Sequence, residues 1–269
     1  MGRRSPLINV MVSAVMKAAR GLRRDFNEVE QLQVSKKGPA DFVSEADRRA
    51  EQALFEELRR VRPRFGFLME ERGNIDGEAG EPRWIVDPLD GTTNFLHGLP
   101  HWAITVAVED RGEIVAGVTY DPLKEELFWA ERGAGAFLND QRLRVSARRS
   151  LTNALLATGI PFRGRGEHAR FLAEMGAFME TVAGIRRYGS AALDLAYVAA
   201  GRYDGFWESH LSPWDMAAGL LLIREAGGFV TDLAGRRRIF ETGGILAANP
   251  EIHGPMLKVL ETAAKQEGR

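Results

Sequence analysis

The stretch Arg83-Trp84-Ile85-Val86-Asp87-Pro88-Leu89-Asp90-Gly91-Thr92-Thr93-Asn94-Phe95-Leu96-His97-Gly98-Leu99-Pro100 decides how the rest of the chain is read. Trp84, Ile85 and Val86 form a short apolar run of the kind buried as a strand. Pro88 has no amide hydrogen, so the pattern predicts that this strand stops at Asp87. Asp90-Gly91 predicts a sharp turn, and Thr92, Thr93 and Asn94 are residues that open helices. Two carboxylates therefore meet within one turn at the mouth of a buried strand. Ionised aspartates that close repel, and burial drives one of them towards its protonated form. A divalent cation removes the conflict. The donors on offer are all oxygen (Asp87, Asp90, the Leu89 carbonyl and the Thr92 hydroxyl), a hard set suited to magnesium and not to zinc. Amides of Gly91 and Thr92 at a helix start suit a phosphate, so the stretch points to phosphoryl chemistry.

Other readings of the same residues compete with this one. Asp-Pro and Asp-Gly are, singly, ordinary turn dipeptides; the argument for a site is their density directly after an apolar run. An aspartate-nucleophile phosphatase spaces two aspartates by one residue before Gly-Thr, whereas Pro88 and Leu89 both intervene here. A calcium loop of the EF-hand type needs acids at alternate positions and a closing glutamate, and has neither.

The bulk properties narrow the field without naming a chemistry. With 269 residues, 45% hydrophobic and 27% charged, the chain is long enough for one large domain or two intimate ones. A net charge of -1 gives no electrostatic case for nucleic acid or anionic membrane. The lack of cysteine removes disulfides and thiol catalysis, and it is compatible with the cytoplasm, the expected compartment. Leu7 to Met16 resembles a signal-peptide core, but Asn9 and Ser13 interrupt it and Lys17 and Arg20 follow. No run approaches ~18 apolar residues, so no membrane span is expected.

Upstream of the central stretch, Leu7, Ile8, Met11, Val15, Ala19, Leu22 and Phe26 share one helical face within residues 5–30. Residues 35–41 read as a polar loop. Ser44-Glu45-Ala46-Asp47 starts a second helix reaching about Arg60, where Asp47 can complete a capping box with Ser44. Phe65 to Met69 is a strand that delivers Glu70 and Glu71, and residues 72–82 read as a polar, glycine-rich excursion.

Downstream, Ala103–Glu109, Ile114–Tyr120 and Leu127–Ala130 are strands joined by turns, with Gly133-Ala134-Gly135 as a further turn. These strands should form one antiparallel sheet covered by the two N-terminal helices. From Ser150 strands and helices alternate, which argues for an α/β layer. The predicted division is residues 1–148 and 149–269, two halves of one compact unit with the site between them. Ser212-Pro213-Trp214-Asp215 reads as a helix start with an acid in its first turn. Alone, that acid reads as an ordinary helix cap; beside the first stretch, where a site with two metals would need a carboxylate from another segment, Asp215 is the candidate. Glu208, at a strand end, and Gly189-Ser190-Ala191, between a strand and a helix, are candidate substrate contacts. His97 and His101 are separated by Gly98 and Pro100, which argues against a helical zinc pair.

Asp87-Pro88-Leu89-Asp90-Gly91-Thr92-Thr93-Asn94-Phe95 resembles the first signature of the inositol monophosphatase family. Trp214-Asp215 and the helix ending in Glu225-Ala226-Gly227-Gly228 resemble the second. The likeness covers essentially the whole chain. It implies a layered αβαβα sugar-phosphatase fold, α+β and α/β in its two halves, and hydrolysis of an inositol monophosphate. It also implies a homodimer inhibited by lithium. By the same resemblance Glu70, Asp87, the Leu89 carbonyl and Thr92 hold one magnesium, and Asp87, Asp90 and Asp215 hold a second. A third, weaker magnesium is implied as well. Glu70 and Thr92 orient the attacking water, Asp47 orients Thr92, and Glu71 has no role. Relatives on the same scaffold take fructose 1,6-bisphosphate, histidinol phosphate or nucleotide 3'-phosphates. Some bacterial relatives bind the transcription machinery, for which Arg186-Arg187 is a candidate contact.

Overall fold

A computed structural model describes residues 4–28, 34–36, 42–162 and 167–267 of the chain. Helix α1 (Pro6–Asn27) begins where Ser5 caps the Ile8 amide and Pro6 takes the first helical position. It buries Ile8, Met11, Val15 and Leu22 against α2 (Glu45–Val61), which buries Leu54 and Leu58 in return. Ser35 and Lys36, read as loop, belong instead to a short strand β1 (Val34–Lys36), which pairs antiparallel with β2 (Phe42–Ser44). The remainder of that predicted loop lies outside the described residues.

The helix pair covers one face of an eight-stranded sheet. In chain order its strands are β3 (Gly66–Met69), β4 (Gly73–Ile75), β5 (Arg83–Asp90), β6 (Ala103–Asp110), β7 (Glu113–Asp121), β8 (Glu126–Glu131), β9 (Gly135–Leu138) and β10 (Gln141–Arg142). Their spatial order is β10-β9-β8-β7-β6-β5-β3-β4, antiparallel except where β3 runs parallel to β5. Two expectations are corrected. Residues 73–75 are a strand turned back on β3, not part of a free excursion. Strand β5 also continues past Asp87 to Asp90: Asp87 pairs with Thr105 and Asp90 with Ala103, so β5 carries one residue more than β6 there. Pro88 cannot donate to the ladder, and the bulge gives it a place where no ladder bond is needed.

A five-stranded sheet, in spatial order β12-β11-β13-β15-β14, is built from β11 (Leu155–Thr158), β12 (Gly184–Arg186), β13 (Gly205–Glu208), β14 (Phe229–Thr231) and β15 (Ile245–Ala248). Helices α5 (Ala191–Ala199) and α6 (Pro213–Glu225) lie between the two sheets, α4 (His168–Met179) and α8 (Pro250–Glu267) cover the outer face, and the short α7 (Ile239–Thr242) lies between β14 and β15 in the chain. The layering is αβαβα. Every residue of α5 is buried, as a helix sandwiched between two sheets requires. One core cluster joins the sheets through Leu195, Val198, Leu221 and Ile223; another joins α1 and α2 to Trp84, Val86, Val106 and Trp129. No described helix is long and apolar enough to cross a membrane.

Candidate active site

Asp87 and Asp90 are three residues apart on one strand and would face opposite sides of a regular ladder. The extra residue at the bulge turns both carboxyls to the same side. Locally, Asp87 Oδ1 accepts the Leu89 amide at 2.9 Å. Gly91 then takes a left-handed conformation, φ +95°, and caps the short helix α3 (Thr92–Leu96). A side chain at Gly91 would also crowd the His101 carbonyl, 3.1 Å from the position of a Cβ. The Thr92 hydroxyl donates to the Leu89 carbonyl at 2.9 Å.

Asp215 reaches the same point from the first turn of α6, where its Oδ2 accepts the Ser212 amide at 2.7 Å. Capping and site-building thus fall on one carboxyl. One oxygen each of Asp87, Asp90 and Asp215 lies within 4.8 Å of the others. A second acidic group, Asp47, Glu70 and Glu71, converges in the same way from α2 and the end of β3. Most of the other predicted residues line one cleft of about 300 Å³: Glu70, Asp90, Gly91, Thr92, Gly189, Ser190, Ala191, Glu208 and Asp215. Asp87 and the Leu89 side chain are buried behind its floor, and Asp47 is buried beside Glu70.

The electrostatics follow from burial. Loss of solvent pushes the Asp87 carboxyl well up, and Glu70, Asp90, Asp215 and Asp47 push it further. Asp90 is raised to about 6 by burial, held back by hydrogen bonds from the Ser190 hydroxyl and the Ala192 amide. Asp215 is raised well above the usual carboxylate range by burial and by Asp90. Glu208 is raised to about 8 by burial and by Asp90, with Arg187 and the Gly159 amide pulling it down. A Cβ at Gly159 would overlap the Glu208 carboxyl, so only glycine lets the acid lie there. The charges that act most on Asp87 are all other carboxyls. Such a concentration of hard oxygen donors fits a divalent cation.

Several contributing residues escape sequence reasoning. Glu51, buried on α2, accepts the Glu71 amide at 2.8 Å and pairs with Arg72 at 3.2 Å, which fixes the turn carrying Glu70. Its signal was the four-residue spacing from Asp47 on one helix face. Glu71, to which no role was assigned, joins the second acidic group. Asp194 lines the cleft; it is the one charged residue in the all-buried helix α5. Asn94 ties the two halves together: its amide donates to the carbonyls of His101 at 2.8 Å and Tyr188 at 2.7 Å, with Gly189 at 3.3 Å. An Asn94→Asp variant keeps the shape but sets a carboxylate against these carbonyls. It is expected to cost about 2–3 kcal/mol, read as a Tm lowered by roughly 5–10 °C. An unchanged Tm would show that the amide bears no such weight.

The family described as "Inositol monophosphatase family" matches residues 3–265 of the chain. "Inositol-1-monophosphatase" of Mesorhizobium japonicum is 58% identical over 258 residues, 96% of this chain and 97% of that protein. "Nus factor SuhB" of Escherichia coli is 44% identical over 252 residues, 94% of each. Among solved structures, the extragenic suppressor protein suhB from Bartonella henselae superposes with a TM-score of 0.93 at 58% identity, covering 95% of this chain and 98% of that one.

Proposed function

The chain belongs to the inositol monophosphatase family, and on that premise we propose that it is a magnesium-dependent phosphatase that hydrolyses inositol monophosphate to inositol and phosphate. The observation that carries the reading is the meeting of Asp87, Asp90 and Asp215 within 4.8 Å at a cleft that Glu70 and Glu208 also line. Glu70, Asp87, Asp90, Asp215, the Leu89 carbonyl and Thr92 would hold two magnesium ions, with a third bound more weakly. Bound there, the metal would supply Lewis acidity, acidifying a water and offsetting charge on the leaving oxygen.

The chain's own residues do the rest. The Thr92 hydroxyl hydrogen is committed to the Leu89 carbonyl, so its oxygen is left to accept a hydrogen bond from water. Glu70 accepts the proton that this water loses as it attacks phosphorus in line with the leaving oxygen, and that oxygen takes a proton from solvent as its bond to phosphorus breaks. Asp47, packed beside Glu70, holds that constellation on α2. Amides of Gly91 and Thr92 bind phosphate oxygens. Asp90, besides its place among the metal ligands, fixes the start of α5 through Ser190 and Ala192. The loop Gly189-Ser190-Ala191 and the Glu208 carboxyl then face the polyol.

Phosphate release from a panel of esters, ranked by kcat/KM with and without magnesium, tests the proposal. Inositol monophosphate should rank above fructose 1,6-bisphosphate, histidinol phosphate and nucleotide 3'-phosphates, and EDTA should abolish the activity. A different ranking, or turnover indifferent to EDTA, overturns it. The same reading carries a cytoplasmic homodimer inhibited by lithium, which sedimentation and a lithium titration address. The E. coli relative named a Nus factor favours a second, regulatory reading, for contact with the transcription machinery. Rescue of a deletion phenotype by an Asp87→Asn protein would support that one.

A further inference from the structure

Asp194 lines the cleft but has no part in the chemistry proposed above, and its surroundings are unusual. It sits one turn into α5, where all neighbours on the helix are buried and apolar. The residue is 1% exposed, yet it lines the same cleft as Glu208 and Ser190. Its Oδ1 has no hydrogen-bond partner among the described residues. Arg187 is near enough to act on both Asp194 and Glu208, but forms no ion pair with either among the described residues. A buried polar atom left without a partner is costly, and each such atom in a native protein calls for an explanation. No described residue supplies the missing donor.

We infer that Asp194 is a second polyol-binding carboxyl, which accepts a hydrogen bond from a substrate hydroxyl remote from the phosphate ester and works beside Glu208 to select polyhydroxylated alcohols. A hydroxyl suits either state of the acid, because it can donate to an ionised carboxylate or to the carbonyl oxygen of a protonated one. Burial and the nearby Glu208 and Asp90 carboxyls push Asp194 well up, so the pocket resists a further anion but welcomes a neutral hydroxyl. A site built to hydrogen-bond a substrate hydroxyl discriminates strongly against a substrate that lacks it, since its own polar groups then stay unpaired. The inference rests on the proposed polyol-phosphatase activity, and the test separates the two.

The comparison is between the wild type and Asp194→Leu, which keeps the branched shape and removes the acceptor. Two magnesium-supplemented substrates are used: inositol monophosphate and phenyl phosphate, which has no hydroxyl beyond the ester. The inositol-to-phenyl ratio of kcat/KM is expected to fall about ten-fold or more in D194L, mostly through KM for the inositol ester. Tm should hold or rise, because an orphaned buried carboxyl has been replaced by an apolar group. A ratio within two-fold of wild type overturns the inference. So does a parallel loss on both esters, or a lowered Tm, since each marks a carboxyl that folding uses, for example through a water shared with the equally unpartnered Tyr203 hydroxyl. Loss of cooperative unfolding in D194L overturns it for the same reason. A wild type that hydrolyses neither ester defeats the phosphatase reading, and this inference with it.

Discussion

Replacing Asp87 by asparagine is expected to leave a folded protein whose magnesium-dependent phosphate release has fallen by at least ~10³-fold. The side chain is 1% exposed, and its charge is opposed by four other carboxyls. Asparagine has nearly the same shape, and its oxygen can still accept the Leu89 amide that Asp87 Oδ1 holds at 2.9 Å. The bulge therefore keeps its turn. The substitution removes one negative charge from the group that includes Asp90 and Asp215 and points an amide at their oxygens. A divalent cation loses both a ligand and part of its electrostatic attraction. Stability should move the other way: without metal, relief of repulsion is expected to hold or raise Tm, by a few degrees for ~1 kcal/mol. Thermal unfolding measured beside phosphate release separates the two effects. Turnover within ten-fold of wild type in a folded variant would retire Asp87 as a ligand, and a collapsed Tm would make it a structural acid.

The contrast between what was legible and what was not follows from the range of each interaction. The helix face of α1, the start and length of α2 and the alternation after Ser150 are local patterns, and they recur in the structure at nearly the expected bounds. The bulge is not legible, because a proline after an apolar run reads as a strand stop. A local rule cannot know that β6 offers a register in which the missing donor does no harm. Strand β4 was missed because Gly73-Asn74-Ile75 has little strand propensity and is held by its pairing with β3. At the site, the residue types and turn geometry of Asp87 and Asp90 announced themselves. Glu70 and Asp215 gained their weight from the family resemblance. The tie that Asn94 makes between the halves was not legible, because two of its acceptors are the carbonyls of Tyr188 and Gly189, about a third of the chain away in sequence. Glu51 and Asp194 carried only a faint signal, a charge where the helix pattern calls for an apolar residue.

The acids that build the site should also make the metal-free protein less stable as pH rises from about 6.5 to 8.5, and magnesium should reverse that decline. The sign follows from proton binding. Glu208 is raised from 4.5 to about 8, and Asp87 and Asp215 are raised well above 3.8. In this window the folded state keeps protons that the unfolded chain has already released, so raising the pH favours unfolding, by up to ~1.4 kcal/mol per pH unit for each proton retained. Asp90, at about 6, contributes mainly below the window. His101 acts in the opposite direction there: burial and Lys124 lower it to about 4, so stability gains as pH rises towards its unfolded value near 6.5. The range above 6.5 is thus where the carboxyls stand clear of it. A cation takes the same oxygens that the protons occupy, so its binding strengthens as they leave, and magnesium at 100 times its Kd adds about 2.7 kcal/mol. The rise in Tm on adding magnesium should accordingly grow with pH across the window and nearly vanish in the Asp87→Asn protein. A metal-free Tm that is flat or climbing between 6.5 and 8.5, or a magnesium shift independent of pH, would mean that these carboxyls are neither protonated nor competing for a cation.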